Sequence, residues 1–153
     1  MTSLTPFPVT LARLAAADPD RPALTDDTGT VTRAELERRS NRLARDLAAR
    51  GVRAGDYVAI GLPNDIAFMV TAVAAWKLGA VPQPLSPRIP APELAAILAV
   101  TRPTVAVGLE TAGLATDLPA GHRPADGLDD GPLDPVVSPS WKAMASGGST
   151  GRP

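Results

Sequence analysis

The chain of 153 residues contains no cysteine and few aromatic side chains. Without cysteine it can form no disulfide bond, no thiolate nucleophile and no cysteine-based metal site. Aromatic residues make up only 3% of the sequence, so the core has to be built from Leu, Val, Ile and Ala. The single histidine, His122, lies in a stretch rich in proline and glycine, and we expect it to be a solvated loop residue.

Strong net charge and long apolar runs are also missing. The formal net charge is −1, which gives no electrostatic argument for binding to nucleic acid or to an anionic membrane. The most apolar stretch, residues 66–75, is too short to form a transmembrane segment. The N-terminal residues lack the basic leader of a signal peptide. We therefore expect a soluble, cytoplasmic protein.

Segments with helical periodicity alternate with short apolar runs. Thr32 and Glu35 have the spacing of a capping box, and Gly51 is expected to end the helix that they open. Asn64 is expected to cap a later, almost wholly apolar helix. The alternation predicts an α/β fold with a largely parallel sheet flanked by helices. Besides the helix between Thr32 and Gly51, the expected helices cover 9–17, 65–78 and 92–100, and the expected strands cover 23–25, 57–62, 81–85 and 104–109.

The regular pattern fades after Glu110. Residues 118–139 are crowded with Pro, Gly and Asp, which predicts a long loop or a weakly ordered connection. Asp129 and Asp130 are expected to form a charged turn within this loop. They make a poor metal site, because no His or Cys is nearby in the sequence. A last strand is expected over residues 141–145.

Two groups of conspicuous residues have structural interpretations. Trp76, on the apolar helix, is expected to pack in the core. Acidic residues are interleaved with the arginines of the helix after Thr32, so these arginines are expected to form a solvated face rather than a nucleic-acid stripe. They are Arg33, Arg38, Arg39, Arg42 and Arg45.

The last nine residues, 145–153, form a segment rich in glycine and hydroxyl groups, Ala-Ser-Gly-Gly-Ser-Thr-Gly-Arg-Pro. Glycines let backbone N–H groups approach an anion closely, and Ser and Thr add donors without bulk. The segment predicts a phosphate site. It also matches G-x-S-x-G, the nucleophile elbow of α/β-hydrolases, with Ser149 as nucleophile. That elbow needs a later histidine, whereas His122 comes earlier, and Pro153 disfavours the helix that should follow. A Walker A motif cannot be placed.

The segment Ser146–Pro153 resembles the phosphate-binding loop of the adenylate-forming enzymes, which include acyl-CoA synthetases, peptide-synthetase adenylation domains and luciferases. Their pattern is Thr/Ser-Ser-Gly-Ser/Thr-Thr-Gly-x-Pro-Lys. One position departs, since Gly147 stands where serine is usual. The version with two glycines is similar to that of CoA ligases related to bile-acid–CoA ligase. The closing lysine of the pattern would follow Pro153.

The resemblance covers most of residues 8–153. Residues 32–60 are similar to the family's opening helix and the following strand, and residues 63–103 to its apolar helix, its Gly-Ala-Val-Pro turn and its next helix. It implies the N-terminal part of the large domain of the adenylate-forming fold, after a tail over residues 1–7, truncated inside or just after the phosphate-binding loop. A flexible Gly/Ser tail on an unrelated α/β domain is the alternative.

For function, the resemblance implies a ligase of the acyl-CoA synthetase type, acting on a fatty acid, a bile acid or another carboxylic acid. Such enzymes use ATP and Mg²⁺ to form an acyl-adenylate and pyrophosphate, and then pass the acyl group to coenzyme A. An adenylation domain that loads a carrier protein is the alternative within the family. A non-catalytic phosphate-binding or interaction module is the alternative of another class.

The resemblance also assigns the site. The family's catalytic and metal-binding groups lie further along its sequences, so no catalytic residue and no metal ligand is assigned in this chain. We expect the chain by itself to be inactive, to hold no tightly bound cofactor and to self-associate. The residues implied to bind the ATP phosphates are Ser146, Gly147, Gly148, Ser149, Thr150 and Gly151.

Overall fold

The computed structural model describes residues 5–109 and 116–144 of the chain. In these ranges, none of the helices has the length and apolar character needed to cross a bilayer. The helices are α1 (Phe7–Ala17), α2 (Arg33–Ala49), α3 (Ile66–Lys77) and α4 (Ala91–Thr101). The strands are β1 (Pro22–Asp26), β2 (Gly29–Thr32), β3 (Tyr57–Ile60), β4 (Val81–Pro84), β5 (Val105–Val107) and β6 (Asp117–Leu118).

Strands β3 to β6 form a parallel sheet in the order β4-β3-β5-β6. Ala59 of β3 lies opposite Gln83 of β4 on one side and opposite Ala106 of β5 on the other. The predicted α/β fold with a largely parallel sheet flanked by helices is therefore confirmed. Within the described residues β4 is an edge strand, a position that suits Pro82 and Pro84 because proline has no N–H to donate.

Helices cover both faces of this sheet, because successive side chains of a strand point to opposite faces. Ala59 and Ala106 pack with Leu94 and Ile97 of α4 on one face. Helices α2 and α3 pack on the other face, and most of α3 is buried between α2 and the strands. The core on this second face includes Leu47, Val58, Ile60, Val73, Val105 and Val107.

Helix α2 begins and ends as its sequence predicts. The Glu35 N–H donates to Thr32 Oγ1 at 3.2 Å, and the Thr32 N–H donates to Glu35 Oε2 at 2.9 Å, which completes the capping box. Gly51 follows the helix with φ of +97°, a conformation that side chains with a Cβ rarely adopt. The inward face consists of Leu36, Ser40, Asn41, Leu43, Ala44 and Leu47.

Strand β2 is not expected from the sequence, and it pairs antiparallel with β1. Its four residues run directly into the cap of α2, so no turn residue separates the strand from the helix. At the end of β1, Asp26 accepts hydrogen bonds from the N–H groups of Thr28, at 2.7 Å, and Ile66, at 2.9 Å. The hairpin is thereby tied to the first turn of α3.

The expected cap of α3 is wrong by one residue. The N-cap is Asp65, whose Oδ1 accepts the Phe68 N–H at 2.9 Å, and the exposed Asn64 makes no such bond. An N-cap side chain reaches the N–H groups two or three residues later, so the start of the helix at Ile66 makes Asp65 the residue in range.

The expected strand over 141–145 is also wrong for Trp141–Met144, none of which is in a strand. The N–H groups of Val81 and Leu85 donate to main-chain carbonyls of β3 and of the residue before it. The backbone groups of the alternate positions, Pro82 and Pro84, therefore face away from β3. These prolines have no N–H for a further neighbour. Only one backbone bond joins the described part of the expected strand to β4, from the Ala143 N–H to the Pro82 carbonyl at 3.0 Å. Residues 119–144 contain turns but no helix or strand, as the predicted long loop requires.

The cap of α3 gives a testable difference between neighbouring residues. Replacing Asp65 by Ala removes the acceptor for the Phe68 N–H and should lower the free energy of unfolding by about 1 kcal/mol. Asn64→Ala is the matched control and should change it by less than about 0.5 kcal/mol. Urea unfolding of the three proteins measures both values. A larger loss for Asn64→Ala than for Asp65→Ala would contradict the assignment of the cap.

Candidate phosphate-binding site

The six residues expected to bind phosphate, 146–151, lie outside the described residues. The described chain reaches Met144, two residues before Ser146. What the structure shows is therefore the segment that leads to the site, residues 135–144, which we call the approach segment. Its contacts show how the chain that precedes the glycine-rich segment is held.

The carboxyl ends of the central strands are filled by apolar side chains. Parallel α/β sheets commonly bind ligands at this edge. Here Gly61 and Gly108 follow β3 and β5, and a Cβ on Gly61 would lie 2.1 Å from Cδ2 of Leu109. A Cβ on Gly108 would lie 2.5 Å from Cδ2 of Leu62. These two glycines are therefore required by close packing between the loops that follow β3 and β5.

Three aromatic rings meet at the approach segment. The rings of Trp76 and Trp141 stack with centroids 4.1 Å apart and an interplanar angle of 27°. Phe7 of α1 meets both indoles edge-on, at 5.2 Å and 4.7 Å. The Trp76 Nε1–H donates to the main-chain carbonyl of Trp141 at 2.8 Å. Trp76 is buried, as expected, but its N–H also has a specific partner that its sequence position does not reveal.

Two further hydrogen bonds hold the approach segment to β4 and the turn before it. The Ser138 hydroxyl donates to the Ala80 carbonyl at 3.0 Å. The Ala143 N–H donates to the Pro82 carbonyl, as noted above. The segment thus contacts the end of α3, the following turn and β4 without being a strand itself.

Side chains of α2 hold an earlier part of the same irregular chain. Asn41 Nδ2 donates to the Asp130 carbonyl at 2.8 Å, and Arg42 forms an ion pair with the Asp130 carboxylate at 2.8 Å. Arg45 pairs with Asp129 at 2.8 Å and donates to the Gly131 carbonyl at 2.8 Å. The expected solvated arginine face is therefore wrong for Arg45, whose side chain is 24% exposed, because the loop folds back onto it. Arg42 pairs with the same loop but keeps 43% of its side chain exposed.

The ammonium group of Lys77 is buried next to these contacts between α2 and the loop. Lys77, the last residue of α3, is 6% exposed, and its Nζ donates to Glu37 Oε1 at 2.6 Å and to Asn41 Oδ1 at 2.7 Å. Burial lowers the pKa of Lys77, although the Glu37 carboxylate acts in the opposite direction. The signal for this arrangement in the sequence is the presence of two polar residues, Ser40 and Asn41, on the inward face of α2.

His122 is not the solvated loop residue that we expect from its sequence context. Its Nε2 lies 2.7 Å from Oδ2 of Asp46, which also accepts a hydrogen bond from Arg50 Nε at 3.1 Å. Burial acts to raise the pKa of Asp46, but the hydrogen bonds from Arg50 and His122 lower it below its ordinary value. The contact joins the loop to α2. No group of three or more potential metal ligands occurs among the described residues.

The profile of the family described as AMP-binding enzyme matches residues 11–153. The chain belongs to the AMP-binding enzyme family. A feruloyl-CoA synthase of an Amycolatopsis species is 39% identical over 158 residues, a match that covers 96% of this chain and 31% of that protein. CymA of Salinispora arenicola, described as a probable non-canonical nonribosomal peptide synthetase, is 34% identical over 151 residues, or 96% of this chain and 2% of that protein.

Among solved structures, the AMPPNP-bound form of the nonribosomal peptide synthetase FmoA3 has a TM-score of 0.79. It is 22% identical and covers 90% of this chain and 15% of that one, a likeness that shows the fold. The chain spans about a third of the length of the feruloyl-CoA synthase and far less of the synthetases. The resemblance to adenylate-forming enzymes is thus confirmed for both sequence family and fold.

The buried lysine predicts a dependence of stability on pH. Its pKa in the folded chain lies below the ordinary lysine value of 10.5, so between these two values the unfolded chain binds more protons than the folded one. The free energy of unfolding should therefore rise with pH across that interval through Lys77. Urea unfolding at several pH values between 7 and 10 should show a rise for the unaltered chain relative to Lys77→Met.

The other lysine, Lys142, is exposed and provides the control. Lys142→Met removes the same charge from an exposed position and leaves the buried Lys77–Glu37 pair intact. If the free energies of unfolding of Lys77→Met and Lys142→Met changed equally with pH, the depressed pKa of Lys77 would be contradicted.

Proposed function

We propose that residues 8–153 form the N-terminal portion of a longer ATP-dependent acid–thiol ligase, which makes an acyl-adenylate and transfers the acyl group to coenzyme A. The observation that carries the proposal is the family match, which extends through residues 146–151. The feruloyl-CoA synthase supports coenzyme A as acceptor. We place the enzyme in the cytoplasm, where ATP and coenzyme A are both available.

The proposed reaction has two steps. In the first, a carboxylate oxygen of the acid attacks the α-phosphorus of ATP, the bond to the bridging oxygen breaks, and pyrophosphate leaves. In the second, the thiol sulfur attacks the acyl carbonyl, AMP leaves, and the thiol proton passes to a base. Negative charge develops on the pyrophosphate in the first step, where donors arranged in advance are most effective.

The residues of this chain proposed to act in the first step are those of the glycine-rich loop. Ser146, Ser149 and Thr150 supply hydroxyl donors, and Gly147, Gly148 and Gly151 let the backbone N–H groups approach the β- and γ-phosphates. Mg²⁺ would neutralise charge on the phosphates. No residue of this chain is proposed to hold it, because the described residues contain no group of three or more potential metal ligands.

A carrier-protein acceptor is the second candidate, and the likeness to CymA supports it. The two candidates share the adenylation step and differ only in the thiol. The deciding experiment uses the full-length protein with ATP, Mg²⁺ and a panel of acids that includes ferulate and fatty acids. Acyl-CoA formation supports the first candidate, and loading of a phosphopantetheinyl carrier protein without acyl-CoA formation supports the second. Absence of pyrophosphate–ATP exchange with every acid would count against both.

We expect residues 1–153 alone to show no pyrophosphate–ATP exchange. The chain carries a proposed phosphate loop but no assigned groups for adenine, Mg²⁺ or the acid. Exchange assays on the purified chain, with a heat-inactivated sample as control, measure this directly. Exchange above the control would show that the chain holds a complete adenylation site.

Replacing Thr150 by Val in the full-length enzyme keeps the side-chain shape and removes one hydroxyl donor. If this donor stabilises the departing pyrophosphate, kcat of the adenylation step should fall by about 10- to 1000-fold. Transfer from pre-formed acyl-adenylate to the thiol should change far less, because pyrophosphate has already left. Separate assays of the two half-reactions decide, and equal losses in both would refute the proposed role of the loop.

A further inference from the structure

We propose that a half-open hollow beside α1 binds a small uncharged molecule that has an apolar body and one hydrogen-bond acceptor. The hollow has a volume of about 320 Å³. Helix α1 forms one wall, residues 132–135 form the other, and Glu37 and Lys77 line it from α2 and α3. We call it the α1 hollow. It is built from described residues and does not depend on the glycine-rich loop.

The walls of the α1 hollow are apolar. Pro8, Ala12 and Ala16 are spaced four residues apart, so they share one face of α1 over a length of about 12 Å. Leu133 and Pro135 face them from the other wall. Ligand pockets of roughly 300–1,000 Å³ commonly combine such a lining with a few polar groups. The body of the ligand should therefore be apolar, with its polar part at the Lys77–Glu37 pair.

The Lys77 ammonium supplies the donor. An ammonium has three N–H groups, and among the described residues only Glu37 Oε1 and Asn41 Oδ1 accept from this one. The third N–H has no acceptor in the described part of the chain, although the side chain is only 5% exposed. A buried donor without an acceptor costs free energy, so a ligand that brings an acceptor is stabilised there. Burial lowers the pKa of Lys77, which fits a poorly solvated position.

The charges around the α1 hollow favour an uncharged ligand. Lys77 is already paired with Glu37 at 2.6 Å. The other two charged residues that line the hollow, Arg13 and Asp134, are exposed and opposite in sign. An anion beside Lys77 would also meet the Glu37 carboxylate, and a cation would meet the ammonium. The acceptor is therefore a neutral oxygen, such as that of a ketone, an ester, an amide or an alcohol.

The first measurement compares four aromatic probes on the full-length protein by saturation-transfer NMR. Acetophenone carries a neutral ketone oxygen and should bind with a Kd below about 1 mM. Toluene lacks an acceptor and should bind about 10-fold more weakly. Benzoate and benzylammonium carry opposite charges, and each should bind at least about 10-fold more weakly than acetophenone. Absence of acetophenone binding, or equal affinity for all four probes, would overturn the inference.

The second measurement locates the bound probe with a matched pair of variants. Ala12→Phe fills the hollow from α1 and should weaken acetophenone binding by more than about 10-fold. Ala17→Phe makes the same change on the same helix, at an exposed residue outside the hollow, and should change the affinity by less than about twofold. Equal losses in the two variants would place the probe elsewhere and refute the proposed site.

The third measurement tests the donor. Lys77→Met keeps an unbranched side chain and removes the ammonium, so acetophenone should bind about 10-fold more weakly while toluene changes by less than about twofold. Equal effects on the two probes would contradict the role of Lys77. If Lys77→Met does not fold, the two alanine variants decide the question.

Only binding that Ala12→Phe abolishes is assigned to the α1 hollow, so benzoate held by an acid pocket elsewhere in the full-length enzyme is not counted. Pyrophosphate–ATP exchange tests the proposed function separately. Loss of acetophenone binding with intact exchange refutes this inference alone, and absence of exchange with intact binding refutes the proposed function alone.

Discussion

The buried ammonium of Lys77 constrains the helical side of this fold. A charge taken out of water is costly unless it is paired and hydrogen-bonded, and the partners of Lys77, Glu37 and Asn41, both lie on α2. The ion pair therefore links the end of α3 to the middle of α2. Asn41 extends the constraint, because the amide whose oxygen accepts from Lys77 also donates to the Asp130 carbonyl. The Asn41 side chain thus connects α2 to α3 and to the loop.

The neighbouring residue on α3 holds a second point of the same irregular chain. Trp76 binds the approach segment at Trp141, while Lys77 acts through Asn41 on the loop at Asp130. This explains how residues 119–144 follow a defined course with neither helix nor strand. Their backbone polar groups are satisfied in part by side chains, which do not produce a regular pattern that the sequence could reveal. The end of α3 is where both contacts converge.

The predictable parts of the structure are those with local causes. The capping box at Thr32, the glycine after α2 and the parallel strands follow from spacing and composition over a few residues, and all are present. Apart from the one-residue error in the cap of α3, the failures have non-local causes. A strand over 141–145 would need backbone N–H donors on the free side of β4, where both residues are prolines. The roles of Arg45 and His122 depend on a loop that returns to α2 from about 80 residues away.

The scarcity of aromatic residues gives the cluster at Trp141 its significance. Only five aromatic side chains occur in 153 residues, and three of them meet where the approach segment crosses the end of α3. The main core is built from aliphatic side chains, so ring area is concentrated at a half-exposed position. Each aromatic pair contributes about 0.5–1.5 kcal/mol beyond the area that it buries, enough to hold a segment that lacks a strand's hydrogen bonds.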